Sequence, residues 1–227
     1  SGGIIDTLPD DKENVLMQVP ILAEQTTGTR LIPPDSGIGV KRVNIYKGTT
    51  SIEERAEQNV SSLLTDGDGH VRYRIVSVVD RNQNYTGKSN HWYRNRGDKK
   101  WKPITIDSEA TVLGFDEIGD SIYVREPVNG RDAIVKIALE SGAKQTVFAH
   151  EKVDVAGLVR VGQKHRPVGV YYYDDYERIE YFDPALNGLA KSLSKVLPGK
   201  TITLLNTSWD ENRILLIAYA DDDPGKY

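Results

Sequence analysis

The residues best equipped for chemistry in this chain are few, and their spacing does not serve it. A hydrolase serine needs a strained strand-to-helix elbow of the form Gly-x-Ser-x-Gly to expose its hydroxyl. The nearest stretch, Gly87-Lys88-Ser89-Asn90-His91, lacks the closing glycine, and its Ser/His pair two positions apart reads as coincidence. His70, His91, His150 and His165 have no i, i+4 partner and no carboxylate at metal-ligand spacing, so they read as surface or turn residues. Asp66-Gly67-Asp68-Gly69 opens like a calcium loop but lacks the later oxygen ligands and the bidentate glutamate, which makes a hairpin turn the better reading. Asp221-Asp222-Asp223-Pro224-Gly225 reads as an acidic turn whose geometry is set by Pro-Gly. The sequence thus offers no catalytic residue, no metal ligand and no cofactor site.

Recognition chemistry is better represented. Tyr171-Tyr172-Tyr173-Asp174-Asp175-Tyr176, with Trp92, Tyr93 and Trp101, could form an aromatic peptide-binding surface or could pack between sheets. Tyr173 and Tyr176, beside the acidic pair where a strand turns into a loop, are the candidate peptide contacts. Asn59, Asn84 and Asn206 head Asn-x-Ser/Thr triplets, which are glycan acceptors only in a secreted eukaryotic chain.

The elements that must position these residues recur. A strand, an acidic or glycine-bearing turn and a second strand appear as Ile4–Leu8 with Asn14–Val19, Ser61–Leu64 with Val71–Val76, Thr111–Phe115 with Ser121–Val124, Gly157–Val161 with Pro167–Tyr171, and Thr201–Leu205 with Arg213–Ile217. Val15, Val71, Ile122, Val168 and Ile214 are then equivalent, spaced by 56, 51, 46 and 46 residues, which is a β-propeller period. Two further strands fit each period: His91–Arg94 and Trp101–Ile106 in the second unit, and Ala133–Ile137 and Gln145–Phe148 in the third. Asn129-Gly130 is the preferred pair for a two-residue hairpin that needs positive φ at both positions. The expectation is an all-β, partial β-propeller of four to five blades of four-stranded antiparallel sheet, with boundaries near 1–58, 59–109, 110–154, 155–200 and an incomplete 201–227. One amphipathic helix interrupts it over 184–197, capped by Asp183, opened by Pro184 and stopped by Pro198-Gly199. Its expected place is the edge of a blade, instead of an outer strand.

Composition narrows the partners. The chain has 227 residues, 38% hydrophobic and 27% charged, and a formal net charge of −4 with both signs interspersed, so it presents no basic face for nucleic acid and no polybasic stripe for a membrane. There is no apolar run long enough to span a bilayer, and Ser1-Gly2-Gly3 reads as an artificial or processed start. The absence of cysteine rules out disulfides, thiolate metal sites and a cysteine nucleophile, and fits cytoplasm and periplasm equally well.

The units also carry a family resemblance. Val155-Ala156-Gly157-Leu158-Val159-Arg160-Val161-Gly162, Val168-Gly169-Val170, Tyr181-Phe182-Asp183-Pro184 with the helix after it, Ser208-Trp209-Asp210-Glu211-Asn212-Arg213 and Asp222-Asp223-Pro224-Gly225-Lys226-Tyr227 resemble the prolyl oligopeptidase family in its bacterial, acylaminoacyl-peptidase-like branch. Leu8-Pro9-Asp10-Asp11 with Val15-Leu16-Met17 is similar near the start, so the likeness runs over nearly the whole chain. The resemblance implies hydrolysis of short peptides by a Ser-Asp-His triad on a separate α/β-hydrolase domain that follows the propeller. No position here matches that triad. The implied role of the propeller is to cap the hydrolase site and admit short peptides while excluding folded proteins. The chain is expected to stop before the third and fourth strands of its fifth unit, leaving open edges that invite pairing between copies. The rival reading is a non-enzymatic propeller that binds protein or peptide through its loops, and what is encoded after Tyr227 separates the two. A β-sandwich ligand-binding domain ranks last because of the five-fold recurrence.

Overall fold

The computed structural model describes residues 2–22, 36–220 and 223–226. Its strands form five antiparallel sheets, each of successive strands running up and down. The first holds β1 (Gly3–Asp6), β2 (Asn14–Ile21), β3 (Gly37–Asn44) and β4 (Thr50–Glu57). The second holds β5 (Val60–Thr65), β6 (Val71–Val79), β7 (Tyr85–Tyr93) and β8 (Lys102–Ile104). The third holds β9 (Thr111–Phe115), β10 (Ser121–Val128), β11 (Arg131–Ala138) and β12 (Lys144–Phe148). Three-stranded sheets follow: β13 (Val155–Val161), β14 (Arg166–Tyr173) and β15 (Glu177–Tyr181), then β16 (Thr201–Thr207), β17 (Ile214–Ala220) and β18 (Asp223–Lys226). This is a partial β-propeller of sequential blades, as the period requires.

The blades group into two compact units, one built mainly on the first two sheets and the other on the last three. In the first unit, Leu8, Leu16, Val40, Val60, Leu63 and Val71 form one core joined by Ile5, Ile38, Val76 and Trp101, so the first two sheets pack face to face. In the second, Tyr123, Ile134, Val155 and Val170 do the same for the third and fourth sheets, flanked by Leu113, Val147, Phe148 and Leu158. Central strands are therefore covered on both faces, and β11 and β14 carry runs of consecutive buried residues instead of an in-out alternation. Burying each side chain such as Ile134, fully enclosed in β11, contributes about 1.5–3 kcal/mol.

Turn chemistry fixes the register. Asn129 and Gly130 have φ of +55° and +82°, so the β10–β11 hairpin closes through the two-residue turn the sequence predicts. Helix α1 (Pro184–Val196) starts where Asp183 Oδ1 accepts from the Ala185 and Leu186 amides, both at 3.0 Å, and it lies against β15 and β16 where a fourth strand would continue the blade.

One region fills in the sequence reading and another corrects it. The two further strands expected in every unit are, in the first, β3, with Ile38 and Val40 alternating with glycine, and β4, which reads Thr-Ser-Ile-Glu-Glu-Arg-Ala-Glu and is almost wholly exposed as an edge. The expected acidic turn is in part a third strand of the fifth sheet: Asp223 begins β18, whose residues Asp223 and Lys226 pair with Ala220 and Ala218. Pro-Gly punctuation there marks a register irregularity around Gly225, at φ +104°, that the strand tolerates. Asp221 and Asp222 lie outside the described residues.

Candidate functional site

The acidic turn of the first unit at 66–69 is closed off by its neighbours. The Asp66 carboxylate is fully enclosed and accepts from the Asp68 amide at 3.1 Å, from the His70 amide at 3.3 Å and from Arg96 at 2.9 Å, with Arg72 at 3.6 Å. Arg96 also donates to Asp68 at 2.7 Å. These contacts make Asp66-Gly67-Asp68-Gly69 a hairpin turn pinned by arginines. The aromatic set of the same unit is likewise engaged, with the Arg74 guanidinium 4.7 Å from the Trp101 ring and 5.5 Å from Trp92, and that of Arg94 4.4 Å from Trp101.

Two histidines are more than turn residues. His91 accepts from or donates to the hydroxyl of the enclosed Tyr73 at 3.0 Å, and burial holds its pKa below the ordinary value of 6.5. His150 Nδ1 accepts from the Lys152 and Val153 amides, both at 3.2 Å, while its ring stacks on Tyr172 with centroids 4.7 Å apart. That acceptor role requires an unprotonated Nδ1.

The loop that His150 organises forms one wall of an open groove in the second unit. Strands of a meander alternate in direction, so the β10–β11 hairpin, the β12–β13 loop and the β14–β15 turn all emerge at one end of the third and fourth sheets. Arg125, Arg131 and Asp132 come from the hairpin, Lys152 to Ala156 from the loop and strand start, and Tyr173 from the end of β14, enclosing about 470 Å³. Part of this lining is framework. Arg125 donates to the Ala156 carbonyl at 2.8 Å and lies 3.4 Å from Asp132, whose amide donates to Asp154 at 3.0 Å. The frame brings hairpin and loop together and pairs Arg125 with Asp132, while Asp154 accepts an amide and keeps its charge. Arg131 and Lys152, both exposed, make no ion pair with any described residue.

The structure places Tyr173 and Tyr176 apart in role. Tyr173 lines the groove, 53% exposed, with its ring edge-on to Tyr171 at 6.0 Å and its hydroxyl donated to Glu177 at 3.0 Å. That hydrogen bond, with the Glu177 charge behind it, raises the phenol pKa, so the ring remains neutral. Tyr176 sits in the adjoining turn, its ring 5.7 Å from the Arg178 guanidinium, and is not part of the groove lining. Gly157 permits this packing, since a Cβ there would stand 2.9 Å from the Tyr171 ring. Sequence reasoning missed Arg125, Arg131, Lys152 and His150. One signal was available: Arg131 directly follows Asn129-Gly130, and a hairpin tip lies at the same blade end as the next inter-blade loop.

The groove lining combines three cations, two carboxylates and one half-exposed aromatic ring, a set able to hold a polar, extended ligand. Among the described residues, no helix is long and apolar enough to cross a membrane.

Comparison with known proteins gives no matching family model and no matching curated protein. Among solved structures, the chain is similar to TolB from Acinetobacter baumannii, at 11% identity and a TM-score of 0.47 over 99% of this chain and 53% of that one. It is also similar to a Mycobacterium tuberculosis puromycin-hydrolyzing peptidase, at 17% identity and a TM-score of 0.46 over 96% of this chain and 34% of the other. The chain thus spans about half the length of the first and about a third of the second.

Proposed function

We propose that this chain is the substrate-gating β-propeller region of a prolyl-oligopeptidase-like serine peptidase acting on short peptides. It supplies access and recognition, while the α/β-hydrolase domain supplies the chemistry. The observation that carries the reading is the groove beside Tyr173, which is open, polar and formed wholly at the loop end of two adjacent blades, where an extended segment can lie without rearrangement of the sheets. The motifs from Leu8-Pro9-Asp10-Asp11 through Ser208-Trp209-Asp210 support the family assignment. A rigid blade end selects by access: a short unfolded peptide reaches the groove, whereas a folded domain is stopped by the surrounding turns.

The decisive test is the coding sequence downstream of Tyr227. A Gly-x-Ser-x-Gly elbow followed in order by an Asp and a His is the expected result. Further blades and a stop codon would overturn the peptidase assignment. A second reading, a non-enzymatic propeller that binds peptide or protein, would then hold, and it is favoured by one feature: two adjacent blades of this chain suffice to line the groove. Edge-to-edge association of copies, through strands such as β4, belongs to either reading and is tested by sedimentation at rising concentration.

A further inference from the structure

We infer that the groove beside Tyr173 is a carboxylate subsite, in which Arg131 and Lys152 together grip an anionic group of a short peptide while Tyr173 packs against the neighbouring residue. This rests on the proposal that the chain handles short peptides, and adds which peptides it favours.

With three cations against two carboxylates, the groove keeps a net positive charge after Arg125 and Asp132 have paired. Five ionised side chains line the groove, three cationic and two anionic. Arg125 is committed to the Ala156 carbonyl and to Asp132, and Asp154 accepts the Asp132 amide, so these three hold the hairpin against the start of β13. The remaining two, Arg131 and Lys152, have no such duty. They stand on separate walls, Arg131 just past the rigid Asn129-Gly130 turn and Lys152 on the loop whose amides His150 holds. Two donors of like charge lining one open polar groove favour an anion between them, and a carboxylate accepts from a guanidinium and an ammonium at once. Tyr173 completes the third wall. Its proton is donated to Glu177 and its ring is braced edge-on by Tyr171, so it offers a fixed apolar surface and no second donor competing for the anion. The carboxylate can be a C-terminus or an Asp or Glu side chain, since both present the same two oxygens.

The test uses the full 227-residue chain and three N-acetylated tetrapeptides carrying a fluorophore: one with a free C-terminus and no acidic side chain, its C-terminal amide, and an amidated version with one glutamate. Affinities are read by fluorescence anisotropy at low and at physiological salt. The free-carboxylate peptide, the glutamate peptide or both should bind about tenfold more tightly than the neutral amide, as expected for two exposed ion pairs that each contribute a factor of a few. Which of the two gains identifies the source of the carboxylate. The advantage should vanish in the Arg131→Gln/Lys152→Gln double variant and shrink with salt. Both residues are exposed surface positions, so an unchanged melting curve confirms that the variant is folded. Equal binding of all three peptides, or an advantage that survives the double substitution, overturns the carboxylate subsite and leaves the peptide reading standing. Failure of every peptide to bind overturns that reading as well.

Discussion

The Asp66 turn and the Tyr173 groove contain similar residues and differ in what those residues face. At the turn, arginines and acids satisfy one another: Asp66 is enclosed, Arg72 is buried against it and Arg96 bridges Asp66 and Asp68. At the groove the same kinds of side chain build a frame with Arg125, Asp132 and Asp154, and two cations are left facing solvent. A charge cluster is structural when its members are matched and is able to recognise a ligand only when some are not. Density of Asp and Arg in the sequence does not distinguish the two.

The largest effect should come from breaking the matched cluster. Asp66→Ala removes the enclosed acceptor of the Asp68 and His70 amides and of Arg96, beside the buried Arg72, and should cost about 3–5 kcal/mol of stability, measured as a lowered urea midpoint, as breaking a buried ion-pair network does. Peptide affinity at the groove should be unchanged. The contrasting change, Arg131→Gln with Lys152→Gln, should leave the urea midpoint within about 0.5 kcal/mol of the parent, as exposed substitutions do, while removing the carboxylate preference. Loss of stability in that variant would mean the two cations are matched after all.

A smaller effect sharpens how the groove is held. His150→Ala removes the acceptor for the Lys152 and Val153 amides and should cost about 1 kcal/mol locally, seen as faster amide exchange over 151–154 and weaker peptide binding. His150→Asn, whose side-chain oxygen can accept the same amides, should restore most of both. If the asparagine variant behaves like alanine, ring stacking on Tyr172 and not the amide bonds organises the loop.

One pH response is built into the first unit. Burial lowers the His91 pKa below its ordinary 6.5, so the unfolded chain takes up a proton at this position before the folded chain does. The native state therefore keeps its full stability from this group above about pH 6.5 and loses it as pH falls from there toward the lowered folded value. His91→Gln retains a hydrogen-bonding partner near Tyr73 without titrating, and should flatten the change in urea midpoint between about pH 7.5 and about pH 5, a span that brackets an ordinary histidine. An undiminished slope would assign the acid sensitivity elsewhere.

Much of this fold is legible in the sequence because propeller blades repeat their simplest feature. The buried runs of β10 and β14, the Asn129-Gly130 turn and the Asp183-Pro184 cap each state their local structure through residue type. Edge strands such as β4 are not legible in that way, since an exposed edge has no buried face to impose a pattern. The same limit hides most of the groove. Tyr173 is conspicuous as one of a run of aromatic residues at a strand end, but Arg131 and Lys152 are ordinary surface cations until the hairpin and loop are brought to the same blade end. Tyr176, equally conspicuous, stays exposed in the adjoining turn with Arg178, paired to Asp174, near its ring.

The most direct test of the account is amide chemical-shift mapping of the chain during titration with a short free-carboxylate peptide. The account predicts saturable shifts at Arg131, at Lys152 through Ala156 and at Tyr173, with Asp66 through His70 unmoved. Shifts centred on the Asp66 turn, or none that saturate at the groove, would contradict it.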